Sequence, residues 1–264
     1  MASILDSKCV LVTGATSGIG RALALEIAKL PSKPKVIGCG RRQDRLDELS
    51  KAGLEGIQLD VSADRETLKS SVEDIVSKNP EVDTIILCAG IQRQFNFNKD
   101  VDLDAISLEF NVNYLSVVAM ITHLLPHFTR LAATGHKCSV IVVTSALSII
   151  PMPLVPNYCA TKAALRSFTV SLRTQLQGSN IHVGEIIPPL VESELHDAEG
   201  TTEKLSKFWM PLDEFMDVVM KGLKKGDTTI AAGIAKGHYE QFEEPKEAIV
   251  AQSAKLLAER VNAA

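Results

Sequence analysis

The chain has 264 residues, 45% of them hydrophobic and 23% charged, with a formal net charge of −4, an ordinary composition for a soluble protein with a substantial core. No basic tract offers a footing for nucleic acid or an anionic membrane surface, and no uncharged apolar run approaches transmembrane length. The stretch from Met1 to Lys8 carries an acid and leads straight into an apolar run, so no signal peptide is expected. The five cysteines, Cys9, Cys39, Cys88, Cys138 and Cys159, are odd in number and lack a Cys-x-x-Cys pair, which fits reduced thiols in an intracellular, cytoplasmic protein.

Residues 9–12 read as a buried strand and 21–30 as a helix, so Thr13-Gly-Ala-Thr-Ser-Gly-Ile-Gly20 is a strand-to-helix turn. Such a turn aims backbone N–H groups and the positive end of a helix dipole at one point, a natural seat for a pyrophosphate. Gly14, Thr16, Ser17, Gly18, Ile19 and Gly20 are therefore candidate dinucleotide contacts, although glycines also close turns for purely steric reasons. A second strand, 35–40, ends at Gly40, where an acid would bind a ribose 2′-hydroxyl. Here Arg41 and Arg42 follow instead, and guanidiniums suit a 2′-phosphate. The sequence thus favours NADP(H); the plainer reading is that the pair opens a solvated helix over 43–49.

A third strand, 56–61, ends in Asp60 and Val61, with Asp60 placed to accept from an adenine amino group. Ser62 is a plausible cap for the next helix, so a capping role for this neighbourhood competes with the adenine role. The helix runs to Asn79-Pro80, and a fourth strand covers 83–90. Uninterrupted apolar strands alternating with helices predict a parallel sheet covered on both faces. A loop over 91–104 precedes a long helix over 103–131, in whose body Asn113 is out of place. His123 and His127 have a metal-pair spacing, but no carboxylate completes a ligand set, and no metal is expected.

Strand five, 139–145, delivers Ser145 to the same sheet edge as the glycine turn. The apolar loop 146–157 suits the floor of a nonpolar substrate pocket, or else a packed connection or subunit contact. In the helix over 157–177, Tyr158 and Lys162 are four apart and share a face. A cation there would lower the phenol pKa towards that of a usable proton relay.

The Thr-Gly-x-x-x-Gly-x-Gly turn, the strand ending in Ala89-Gly90, the helical Asn113, and Ser145 ahead of a Tyr-x-x-x-Lys together resemble the classical short-chain dehydrogenase/reductase family. The resemblance covers roughly residues 8–194. It implies that Ser145 holds the substrate oxygen, Tyr158 exchanges its proton, Lys162 bonds the nicotinamide ribose and lowers the tyrosine pKa, and Asn113 supports a water relay. Ala89, Gly90, Pro188, Val191 and Ser193 would line the cofactor. Two departures stand out. Leu87-Cys88 replaces the usual pair of asparagines that brace the sheet edge, and Pro188-Pro189 replaces Pro-Gly near the nicotinamide.

Residues 194–211 resemble the family's substrate lid, with the lone Trp209 near the substrate, or else form a packed surface helix. The tail 245–264 reads as an amphipathic helix, with Ile249, Leu256, Leu257 and Val261 forming a stripe for its own chain or a partner. The expected protein is one Rossmann-type α/β domain spanning 1–264, a doubly wound, seven-stranded parallel sheet flanked by helices. It would move a hydride between NADP(H) and a carbonyl or secondary alcohol carbon of a small, apolar substrate. A homodimer or homotetramer is implied by the family. The competing functions are a non-catalytic NADP(H)-binding sensor or scaffold and an NAD(H)-linked alcohol dehydrogenase.

Overall fold

The short apolar runs that punctuate the chain pair into one sheet of seven parallel strands, in the order β3-β2-β1-β4-β5-β6-β7. They are β1 (Cys9–Thr13), β2 (Lys35–Gly40), β3 (Glu55–Gln58), β4 (Val82–Leu87), β5 (Cys138–Val143), β6 (Ile181–Ile187) and β7 (Thr229–Ala231). The helices are α1 (Gly18–Ala28), α2 (Gln43–Lys51), α3 (Arg65–Lys78), α4 (Leu103–Phe110), α5 (Ser116–Ala133), α6 (Pro156–Gln175), α7 (Thr202–Leu205), α8 (Leu212–Lys225), α9 (Ile234–His238) and α10 (Glu244–Asn262). This computed structural model describes residues 2–200 and 202–262. Met1, Thr201, Ala263 and Ala264 lie outside the described residues, as do the side chains of Ala198, Glu199, Ala258, Val261 and Asn262.

Successive strand residues point to opposite faces, and both faces are covered, which is why β1, β4, β5 and β6 are mostly apolar. Val10, Val12, Ile86 and Ile186 face Leu23 and Ile27 of α1 and Phe215 and Val219 of α8. Leu11, Ile85, Val140 and Val142 face Val72 of α3, Leu124 and Phe128 of α5, and Leu165 of α6. Thr13 lies level with Cys39 and Leu87, Leu87 with Val142, and Val143 with Ile186. The carboxyl ends of five strands therefore meet one edge. The strand order reverses between β1 and β4, and a parallel sheet opens its binding crevice at such a point.

Several predicted boundaries move for identifiable reasons. The last two glycines of the turn, Gly18 and Gly20, already belong to α1. β3 stops at Gln58, because Asp60 closes a local turn by accepting from the backbone N–H and hydroxyl of Ser62. Ser62 is not the helix cap: Asp64 is, accepting from the N–H groups of Glu66 and Thr67. β4 ends at Leu87 rather than Gly90, because the next two N–H groups turn to the Thr13 hydroxyl, and β5 ends at Val143 rather than Ser145.

The long helix 103–131 is two helices, α4 and α5, joined by a π-turn at Asn111–Leu115. By length and composition the 103–133 rod could cross a membrane, yet Val117, Met120, Ile121, Leu124 and Phe128 are buried on the sheet. The C-terminal helix begins well before Pro245: α9 leads through a second π-turn, Tyr239–Glu243, into α10.

Candidate active site

At the switch point the glycine turn presses against the exit of β4. Gly14 has φ +69°, and a Cβ there would lie 2.9 Å from the backbone of Ala89, so only glycine fits. Ala89-Gly90 thus lies directly beneath the turn. The edge lacks the asparagines of the family pattern, but Thr13 supplies a brace: its Oγ1 accepts from the N–H groups of Cys88 and Ala89 at 3.0 and 3.1 Å. Ser193 arrives from the far side, its Cβ 3.0 Å from where a side chain on Gly18 would sit. Pro188 anchors the same rim through its carbonyl, which accepts from Ala146 N–H at 2.8 Å. Val191 is buried against the core under α1 and α8, and Ile19 packs on the same cluster. Val61 packs on the opposite face of the sheet.

The end of β2 carries the cationic corner. A side chain at Gly40 would collide with Thr16, so strand and turn meet in van der Waals contact. Arg42 reaches back over this contact, its Nε and Nη2 donating to Thr16 Oγ1 at 3.4 and 3.3 Å. Its Nη1 donates to Glu194 Oε2 at 2.7 Å, and Arg45 Nη2 lies 3.9 Å from the other oxygen of that carboxylate. Arg41 is exposed; its carbonyl accepts from Gln58, and its charge helps hold the Asp60 carboxyl low. The main influences on Asp60 are burial, which pushes up, and its two bonds from Ser62, which pull down.

Ser145, Tyr158, Lys162 and Asn113 converge one strand further along. Ser145 caps a short 3-10 turn, Ala146–Ser148, with its Oγ accepting from Leu147 N–H. Pro at the first position of α6 presets the helix, placing Tyr158 and Lys162 in its first two turns, both buried. The Tyr158 phenol hydrogen-bonds with Ser145. Lys162 Nζ lies 5.7 Å from the Tyr158 ring centre and donates to Val143 O at 2.9 Å. The predicted lowering of the phenol pKa is not what this geometry gives. Burial pushes Tyr158 well above its ordinary value, only the Ser145 bond opposes this, and Lys162 is itself drawn down to about 8 by burial.

Asn113 loses its oddity in three dimensions. Its Oδ1 accepts from Ile91 N–H at 2.9 Å, and its Nδ2 donates to Ile91 O at 2.9 Å and Thr161 Oγ1 at 3.1 Å. The amide therefore replaces a strand partner for the loop leaving β4 and ties that loop to α6. Gly90 lies against it, with a Cβ there 3.2 Å from Asn113 Oδ1 and 3.7 Å from Lys162 Nζ. Of the two histidines, His127 is buried and bonds Val82 O at 2.8 Å. Among the described residues no cluster could hold a metal ion.

Residues 191–210 leave and return at one place: Val191 and Met210 form a bridge, Met210 N–H donates to Leu190 O, and Glu192 N–H to Met210 O. Between them, Leu195 packs on the cluster containing Tyr158, whereas Phe208 is 79% exposed and Trp209 is half-buried. Ile150, Met152 and Leu154 stand exposed on the loop beside the site. The tail is fastened by Arg166, which is buried between Glu185, Glu243 and Glu247, with Arg173 on Glu247 as well. Beyond that lock, Ile249, Leu256 and Leu257 are exposed. Sequence reasoning gave no site role to the side chains of Thr13, Thr161, Glu109, Glu194 or the Arg166 cluster, although Thr13 opens the glycine turn and Glu109 is an acid one turn before Asn113.

Fold and site together define a Rossmann-type oxidoreductase. The family model described as short chain dehydrogenase matches residues 8–204, and the chain belongs to that family, in its classical branch. It is 33% identical over 234 residues to the uncharacterized oxidoreductase DltE of Bacillus subtilis (strain 168), spanning 86% of this chain and 88% of that one. It is 29% identical over 244 residues to the NADP-dependent 3-hydroxy acid dehydrogenase of Schizosaccharomyces pombe, spanning 87% and 92%. The short-chain dehydrogenase from Sphingobium yanoikuyae solved in complex with NADPH superposes with a TM-score of 0.77 at 21% identity, covering 95% of this chain and 94% of that one; at that identity the likeness is one of fold.

Proposed function

We propose that the protein is an NADP(H)-dependent ketone reductase, working in reverse as a secondary alcohol dehydrogenase. The observation that carries this reading is the Ser145–Tyr158–Lys162 constellation beside a turn in which only glycine fits at position 14. That cradle, at the positive end of α1, suits a pyrophosphate, and Arg42 above Thr16 suits a 2′-phosphate. The NADP dependence of the fission-yeast relative supports the same preference. When bound, the nicotinamide would supply or accept the hydride.

Ser145 and Tyr158 would hydrogen-bond the carbonyl oxygen and stabilise the charge that grows on it. Tyr158, kept protonated by burial at neutral pH, would then hand over its phenolic proton. Lys162, with Nζ held by Val143 O, would bond the cofactor ribose and restore that proton, and Asn113 would hold the loop after β4 in place. Residues 194–211 would act as the lid, because Leu195 already rests on the Tyr158 cluster. Exposed Ile150, Met152 and Leu154 favour a nonpolar substrate.

The test is cofactor oxidation followed across a panel of ketones, aldehydes and quinones, with NADPH and NADH in parallel. Turnover with NADPH at a several-fold higher kcat/KM than with NADH supports the reading. Binding of NADPH with no turnover across the panel would make the protein a sensor or scaffold, and a preference for NADH would make it an NAD(H)-linked dehydrogenase.

A further inference from the structure

Glu109 is a fully buried carboxylate that the proposed chemistry does not use. It lies on α4, one helical turn before Asn113 and on the same side of the rod. Its Oε1 accepts from Arg93 N–H at 2.8 Å and its Oε2 from the Asn157 amide at 2.6 Å. The Asn157 amide also donates to Ile106 O at 3.2 Å. Arg93 lies two residues beyond Ile91, which Asn113 holds, and Asn157 immediately precedes Tyr158. Glu109 and Asn113 therefore make two parallel grips on the same pair of segments, the loop leaving β4 and the opening turns of α6.

A buried carboxylate is costly unless bonds and charge compensate it. Glu185 illustrates the usual solution, an ion pair with buried Arg166. Two of the bonds to Glu109 come from uncharged donors, and its charge acts on Lys162. We propose that Glu109 is a positioning residue for the Tyr158–Lys162 pair, fixing the first turn of α6 against the β4 exit through its bonds to Arg93 and Asn157 and presenting its carboxylate charge to the lysine. Besides Glu109 on α4, the ionisable groups that act on the pair are Cys88 at the end of β4 and Cys159 on α6 itself. Both thiols are held neutral by burial.

This rests on the proposed reductase reading for its kinetic arm only. Glu109→Gln keeps the shape, removes the charge and turns one of the two acceptor contacts into a clash of donors. In the intact chain, the Lys162 midpoint is followed by heteronuclear NMR with 13C-labelled lysine and assigned with Lys162→Arg. It should move down from about 8 in Glu109→Gln and stay near the wild-type value in Glu109→Asp. The carbonyl-reduction kcat should fall roughly tenfold or more in Glu109→Gln, with the KM for NADPH within about twofold of wild type. The alkaline limb of its pH profile should move to lower pH, because the phenol loses the same negative neighbour. An unchanged Lys162 midpoint in a folded Glu109→Gln variant overturns the proposal whether or not the wild type reduces any carbonyl. A shifted midpoint in a wild type that reduces none refutes the reaction reading alone.

Discussion

At the catalytic end of the crevice, Asn113, Tyr158 and Lys162 are 0%, 6% and 4% exposed, and each is bonded to backbone or to a neighbouring side chain within the same corner. At the phosphate end, the Arg42 side chain is 43% exposed and is paired with Glu194, whose side chain is 41% exposed. Buried groups with fixed partners hold their geometry and have strongly perturbed protonation. Exposed ion pairs hold little, because water and salt screen them. The Tyr158–Lys162 end is thus preorganised, whereas the Arg42 end is a loose contact between exposed charges; on the proposed reading, Glu194 would stand where the cofactor's 2′-phosphate binds. The next residue, Leu195, packs on the cluster containing Tyr158, so Glu194 and Leu195 join the two ends.

The widest gap between the two ends should appear in turnover. Tyr158→Phe is expected to lower kcat at least about 100-fold while leaving the NADPH Kd, measured by nucleotide fluorescence, within about twofold of wild type. Arg42→Ala should do the reverse, weakening NADPH roughly tenfold through loss of a charged contact, with kcat and NADH affinity nearly unchanged.

A stability measurement sharpens the catalytic side. Burial holds Lys162 at about 8, below its ordinary 10.5, so between these values the unfolded chain binds more protons than the folded one. Wild-type stability therefore carries a penalty that is full below about pH 8 and fades as pH rises towards 10.5. Lys162→Met should raise the melting temperature at pH 7 by an amount that shrinks when the same comparison is made near pH 10.

The smallest effect belongs to the exposed pair. Glu194→Gln should tighten NADPH binding about two- to fivefold by freeing Arg42. In an Arg42→Ala background the same change should do much less, a coupling that titration of all four proteins would reveal.

What the sequence disclosed follows the same division. Local signals were legible: the apolar runs that became β1 and β4, the glycine turn, and the four-residue spacing of Tyr158 and Lys162 each depend on neighbours close in the chain. The π-turn at Asn111–Leu115 was hidden, because nothing local marks it and the bonds Asn113 makes there reach Ile91 and Thr161, 22 and 48 positions away. Arg42 and Glu194 are 152 positions apart, and the acids that lock Arg166 to the tail are 77 and 81 away, so no window of sequence contains these pairs. Ser62 and Asp64 are both good caps, and which one closes α3 depends on Asp60 having already engaged Ser62. The pKa of Tyr158 was misjudged for a related reason: the spacing disclosed the lysine but not the burial that outweighs it.

The most direct test of hydride transfer is isotopic. The wild type would be incubated with NADPH carrying deuterium at both C4 positions and with a ketone that it consumes, and the product alcohol analysed by mass spectrometry. One deuterium on the carbinol carbon, with no label in the Tyr158→Phe control, is the expected result. Product without label, or no alcohol from any carbonyl despite bound NADPH, would contradict it.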